Sequence, residues 1–172
     1  MKNLGTWSII LVLMMAIFGC TQKSTSPFKP NSEPDGFAGI KWSTEFSEVK
    51  SDMVETRSIA NPTEPDVKIK IYYTKKDDNL KMGEAQLYKM EYGFFRGKFA
   101  EVQITAAGPE NFNQLKKFLF EKYGTVEGSG QGLYSWNGPV TRIALRYDEP
   151  NKTSLLAVSS TTMTFKEIFD KD

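Results

Sequence analysis

The side chains able to do chemistry in this chain are carboxylates, hydroxyls, lysines, arginines and tyrosines. Its 172 residues contain no histidine and one cysteine, Cys20. That inventory excludes a Ser-His-Asp triad, a Cys-His pair and zinc sites built on imidazole. One thiol also leaves no intramolecular disulfide. Among the carboxylates, Glu91 and Glu101 are the least unsuitable for acid–base work, but no pair is placed across a cleft as glycoside hydrolysis requires. Asp77-Asp78 sits in the polar run Lys75-Lys76-Asp77-Asp78-Asn79. A cation site needs more oxygens at defined spacing, so this run reads as a turn. Gly128-Ser129-Gly130-Gln131-Gly132 is glycine-rich, but it follows a predicted helix and precedes a predicted strand, the reverse of a phosphate-binding loop. The sequence therefore carries no catalytic set, no metal ligands and no cofactor motif, and reads as a non-enzyme.

Binding is the remaining chemistry. Lys68, Lys70, Tyr72, Glu91, Glu101, Gln103, Arg142 and Arg146 all alternate with apolar residues on predicted strands, which places them away from the core. They form either an ordinary solvated face or one that binds a partner. Tyr134 and Trp136 point to the opposite side of their strand from Leu133 and Ser135, near a loop, where they invite an aromatic pocket for a small ligand. Tyr72, Tyr134, Trp136, Arg142 and Arg146 are the candidate binding residues.

These residues need a sheet to hold them. Val67–Tyr73 alternates with period two, placing Val67, Ile69, Ile71 and Tyr73 on one face. Tyr88–Phe94 and Lys98–Ala106 alternate around Phe95-Arg96-Gly97 and predict a hairpin, with Ala100, Val102 and Ile104 inward. Pro109–Tyr123 predicts a helix: Pro109 suits the first turn, Glu110 suits the positive helix start, and Phe112, Leu115, Phe118, Leu119 and Tyr123 form one stripe. Gly124 is its stop. Strands follow at Gly132–Trp136, Thr141–Tyr147 and Ser154–Ser160, with turns at Asn137-Gly138 and Glu149-Pro150-Asn151. Phe37–Trp42 reads as a short strand, with Ser43 or Thr44 capping a short helix through Val49. Thr164 and Glu167 suggest a capping box for a last helix burying Phe165, Ile168 and Phe169. The expected class is α+β: an antiparallel sheet of about seven strands with two or three helices, mainly on one face, in two α-β-meander repeats.

The N-terminus carries a location signal. Lys2 precedes an apolar stretch, Trp7–Phe18, that is too short to span a bilayer, which takes about 20 residues. Gly19 and Cys20 follow it. The segment resembles the signal peptide of bacterial lipoproteins, with Ile17-Phe18-Gly19-Cys20 in the lipobox position. The resemblance implies removal of residues 1–19, diacylation of the Cys20 thiol and acylation of the new amino terminus. Several acyl chains make a stable anchor. Thr21, where an Asp would mark inner-membrane retention, favours the periplasmic face of an outer membrane in a Gram-negative cell. Residues 20–36 are polar and proline-rich and read as a flexible tether; residues 37–172 read as one domain. The domain resembles, at fold level, exported α+β proteins such as β-lactamase inhibitor protein and the outer-membrane assembly lipoproteins of the small-protein-A type. Lys50-Ser51-Asp52-Met53 stands where the latter carry Leu-Gly-x-Pro, so the chain is not assigned to them.

Loss of the leader takes Lys2 from the 22 basic residues and nothing from the 21 acidic ones, which leaves the mature chain formally neutral. Neutrality is against a nucleic-acid partner, which calls for a clear basic excess. The expected role is a membrane-anchored, non-enzymatic binding or scaffold module that engages another envelope component. The alternatives are a small-ligand carrier or sensor with an aromatic pocket and a hydrolase built on Glu91 and Glu101. Oligomeric state leaves no mark in the sequence.

Overall fold

The structure is a computed structural model that describes residues 26–129 and 132–163. Cys20 with its leader, Gly130-Gln131 of the glycine-rich run and the expected last helix at Thr164–Phe169 lie outside the described residues. No helix among the described residues is long and apolar enough to cross a membrane.

The chain is α+β, built on one seven-stranded antiparallel sheet. Two-residue strands β1 (Gly36–Phe37) and β2 (Ile40–Lys41) precede helix α1 (Phe46–Val49) and a 3-10 turn at Lys50–Asp52. Strands β3 (Met53–Ala60) and β4 (Lys68–Lys75) follow. A small hairpin, β5 (Lys81–Met82) with β6 (Ala85–Gln86), leads to β7 (Lys89–Phe95) and β8 (Lys98–Ala107). Helix α2 (Gly108–Tyr123) then connects to β9 (Leu133–Asn137), β10 (Thr141–Asp148) and β11 (Thr153–Ser160). The sheet order is β3-β4-β7-β8-β11-β10-β9.

Local chemistry accounts for these elements. Phe95 pairs with Lys98 across Arg96 (φ 47°) and Gly97 (φ 81°). Two left-handed residues in a two-residue turn match the twist of the strands they join. In α2, Pro109 sits in the first turn, and the Gly124 N–H closes the end on the Phe120 carbonyl at 3.0 Å. Leu115, Leu119 and Tyr123 of its stripe are buried, and Phe112 and Phe118 pack at their margin. On β8, Val102, Ile104 and Ala106 are fully buried while Glu101 and Gln103 take the other face, as period-two alternation dictates. The inner face of the sheet is the one that shares a core with Leu115 and Leu119; the outer face carries the intervening side chains.

Several expectations are corrected. Phe37–Trp42 is a hairpin and not one strand, because Ala38 (φ 49°) and Gly39 (φ 82°) turn the chain between β1 and β2. Glu45, not Ser43 or Thr44, caps α1; its N–H donates to Glu48 Oε1 at 3.2 Å. Val67 lies exposed ahead of β4, and Ile69 joins a separate cluster with Phe95, Ala100 and Met163. Ala100 misses the main core because the register shifts there: Gly93 faces Glu101 while Phe94 faces Phe99. Ala100 is the extra residue of a β-bulge, and Phe99 takes the inward place.

The tether boundary at residue 36 also moves. Phe28 is buried against the edge of the Tyr123 ring, centroids 5.8 Å apart. The Lys29 N–H donates to the Tyr123 carbonyl at 2.8 Å. Glu33 Oε1 accepts the backbone N–H groups of Val140 (2.7 Å) and Thr141 (2.8 Å). The segment from Phe28 to Gly36 is thus a strap fastened across the end of α2 and the β9–β10 turn.

Candidate functional site

Antiparallel register gathers the charged residues of the outer face. Tyr72 on β4 faces Gly93 on β7, which faces Glu101 on β8; Glu91 on β7 faces Gln103 on β8; Arg57 on β3 faces Tyr72. Glu101 receives three donors: Lys70 Nζ at 3.0 Å, Gln103 Nε2 at 3.0 Å and the Tyr72 hydroxyl in a short contact. The Arg57 guanidinium lies flat over the Tyr72 ring, 3.4 Å from its centroid, and Nη2 donates to Gln103 Oε1 at 2.9 Å. A stacked guanidinium gains from the negative face of the ring. Glu91 accepts Thr56 Oγ1 at 2.7 Å and Lys89 Nζ at 2.8 Å, with Arg57 Nε at 3.4 Å. The result is one connected lattice from β3 to β8, centred on Tyr72, Glu91, Glu101 and Gln103.

Gly93 makes this packing possible. A Cβ there would lie 2.8 Å from Glu101 Cγ and 3.1 Å from Tyr72 Cε1, so the tyrosine ring rests directly on backbone. Gly93→Ala is expected to cost about 1–3 kcal/mol of stability, as overpacking does, measured by urea unfolding.

The electrostatics favour the ionised form of Glu91. Burial raises the pKa of Glu91, but hydrogen bonds from Lys89 and Thr56 and the nearby charges of Arg57 and Lys89 outweigh it, and the net shift is downward from 4.5. A carboxylate with a depressed folded pKa stabilises the fold fully above its unfolded pKa, and that contribution is lost as pH falls through the folded value. Glu91→Gln is therefore expected to be less stable than the parent near neutrality and to converge with it below pH 4.5, in unfolding midpoints taken from about pH 3 to 7. Burial first, then the Glu101 hydrogen bond and charge, push the Tyr72 phenol far above its ordinary range, with Arg57 opposing. Glu91 takes its donors on Oε1, whereas both oxygens of Glu101 accept donors.

The five candidate binding residues divide. Tyr72 is the centre of the lattice and is almost wholly enclosed by it. Arg142 and Arg146 lie exposed on β10, on the same face but four strand spacings away, roughly 19 Å. Tyr134 and Trp136 are on the inner face beside α2, where both pack on Phe120. Trp136 is fully buried and donates Nε1–H to the Gly124 carbonyl at 2.7 Å, so it is core. Arg57, Thr56 and Lys89 complete the lattice and went unread from sequence; Arg57 becomes visible only when β3 is paired with β4.

An inner-face cleft lies on the other side of α2. A cavity of about 490 Å³ opens between the β1–β2 and β5–β6 hairpins. Met90, Leu156 and Val158 floor it, and Phe118, Lys122 and Tyr123 of α2 wall it. Gly83 of the β5–β6 turn presses on the Phe118 ring, and the Gln86 N–H donates to Asn111 Oδ1 at 2.8 Å, pinning this hairpin to α2. Asp78 reaches the cleft with one oxygen accepting the Tyr92 hydroxyl at 2.8 Å. Asp77-Asp78 does form the expected turn, Asp77 having φ 55°. Among the described residues, no group of three or more acidic or cysteine side chains could hold a metal ion.

Comparison of the chain with protein-family models, with curated proteins and with solved structures finds no match in any of the three.

Proposed function

We propose that this protein is a membrane-anchored lipoprotein of the bacterial envelope, lipidated at Cys20, whose domain binds a partner protein through the outer face of its sheet and catalyses nothing. The observation that carries the reading is the outer-face lattice. It fixes three cations, Arg57, Lys70 and Lys89, against two carboxylates, Glu91 and Glu101, while Arg142 and Arg146 lie exposed on the same face four strand spacings from Tyr72. Such a surface selects a partner with an acidic face and loses affinity as salt screens it. The engagement of Glu91 and Glu101 by lattice donors supports the non-catalytic part. Two helix–meander halves, α1 with β3-β4-β7-β8 and α2 with β9-β10-β11, both helices on the inner face, would leave the outer face free for this use.

The anchor is tested by metabolic palmitate labelling of the wild type and Cys20→Ala. Label on the wild type alone is expected; no label on either contradicts it. The partner is tested by affinity capture from envelope extract with the wild type and Arg142→Glu/Arg146→Glu. A specific protein held by the wild type, and lost in the variant and at high salt, is expected. A small-ligand carrier is a second reading, favoured by the 490 Å³ cavity and relocated from Trp136 to the cleft beside α2.

A further inference from the structure

We infer that the cleft between the two hairpins is a binding site for a single-chain anionic amphiphile, an aliphatic tail with a carboxylate head. This rests on the small-ligand reading and adds the class of ligand and the residue that grips it. The cavity volume falls in the range of small-molecule sites, about 300–1,000 Å³. Its floor is aliphatic, and two flexible thioethers, Met82 and Met90, line it. Methionine adapts to irregular apolar shapes, which suits a flexible tail better than a rigid ring. The rim decides the charge. Two lysines, Lys81 and Lys122, face one aspartate, Asp78, which already accepts the Tyr92 hydroxyl. Lys81 is drawn toward Glu84 at 3.7 Å. Lys122 has its ammonium over two rings of the wall, 5.5 Å from Phe118 and 5.2 Å from Tyr123. Those rings hold the cation at the mouth, where the head of an inserted tail would emerge. The head pairs with Lys122 while the tail runs over Met90, Leu156 and Val158.

The test uses octanoate and 1-octanol, below their aggregation limits, titrated into the full chain with carbon-13-labelled methionine methyls. Met82 and Met90 report the cavity; Met53 and Met163 are outside its lining and serve as controls. Octanoate is expected to shift Met82 and Met90 alone, and Lys122→Ala to weaken it about tenfold while leaving octanol unchanged. Lys122 is exposed, so Lys122→Ala is expected to fold. If octanol binds as tightly as octanoate and Lys122→Ala changes neither, the anionic assignment is overturned while the small-ligand reading survives. If neither compound moves Met82 or Met90, both are overturned.

Discussion

Glu101→Ala is expected to lower the unfolding free energy by about 3 kcal/mol, among the largest effects of any outer-face substitution. The cost comes from what is left behind. Lys70 Nζ, Gln103 Nε2 and the Tyr72 hydroxyl all converge on this carboxylate. The Lys70 and Glu101 side chains are only 19% and 12% exposed, so water replaces the lost acceptor poorly. Breaking one partner out of an enclosed pair strands the other, whereas replacing both with apolar groups of similar size is often nearly neutral. Lys70→Met/Glu101→Leu should therefore recover most of the loss seen in Glu101→Ala. Urea unfolding of the two variants and the parent checks this. A double variant as unstable as the single one would mean that the attraction itself, and not the orphaned donors, carries the stability.

Trp136→Ala is expected to cost about 3–5 kcal/mol, the range for emptying a large aromatic site in a core. Trp136 is fully buried, packs edge-on to Phe120 at 5.9 Å, and gives its only polar hydrogen to the Gly124 carbonyl at the end of α2. The alanine variant loses packing and leaves a helix-terminal carbonyl without its donor. Trp136→Phe keeps most of the volume and should cost appreciably less. Calorimetric unfolding measures both, and ligand binding at the α2 cleft should persist in the phenylalanine variant, because Trp136 does not line that cavity.

The elements whose side chains face two environments could be read from sequence. Helix α2 announced itself through Leu115, Leu119 and Tyr123, and β8 through Val102 and Ile104, because each places an apolar stripe against the core. Strand β3 went unread: Met-Val-Glu-Thr-Arg-Ser-Ile-Ala has no apolar face, since an edge strand with few buried residues needs none. Missing β3 hid Arg57 and Thr56, so the outer face seemed a set of separate charges and not a lattice. The bulge at Ala100 was invisible because nothing in Lys98–Ala106 marks which residue is extra. Phe28 and Glu33 were hidden for another reason: a strap docks through single residues and backbone groups and has no periodicity to detect. Tyr134 and Trp136 were correctly set opposite Leu133 and Ser135, but sequence alone did not say that α2 covers that side.

A partner protein is proposed to sit on the outer sheet face. The most direct measurement places a photo-crosslinking residue at Leu155, exposed on the outer face of β11 one strand from Arg146, and in a second variant at Lys117, exposed on α2. Both are irradiated in intact cells. A discrete adduct from Leu155 is expected, with none from Lys117 and loss of the Leu155 adduct when Arg142→Glu and Arg146→Glu are added. An adduct from Lys117 with none from Leu155, or a Leu155 adduct indifferent to both arginines, would contradict this placement.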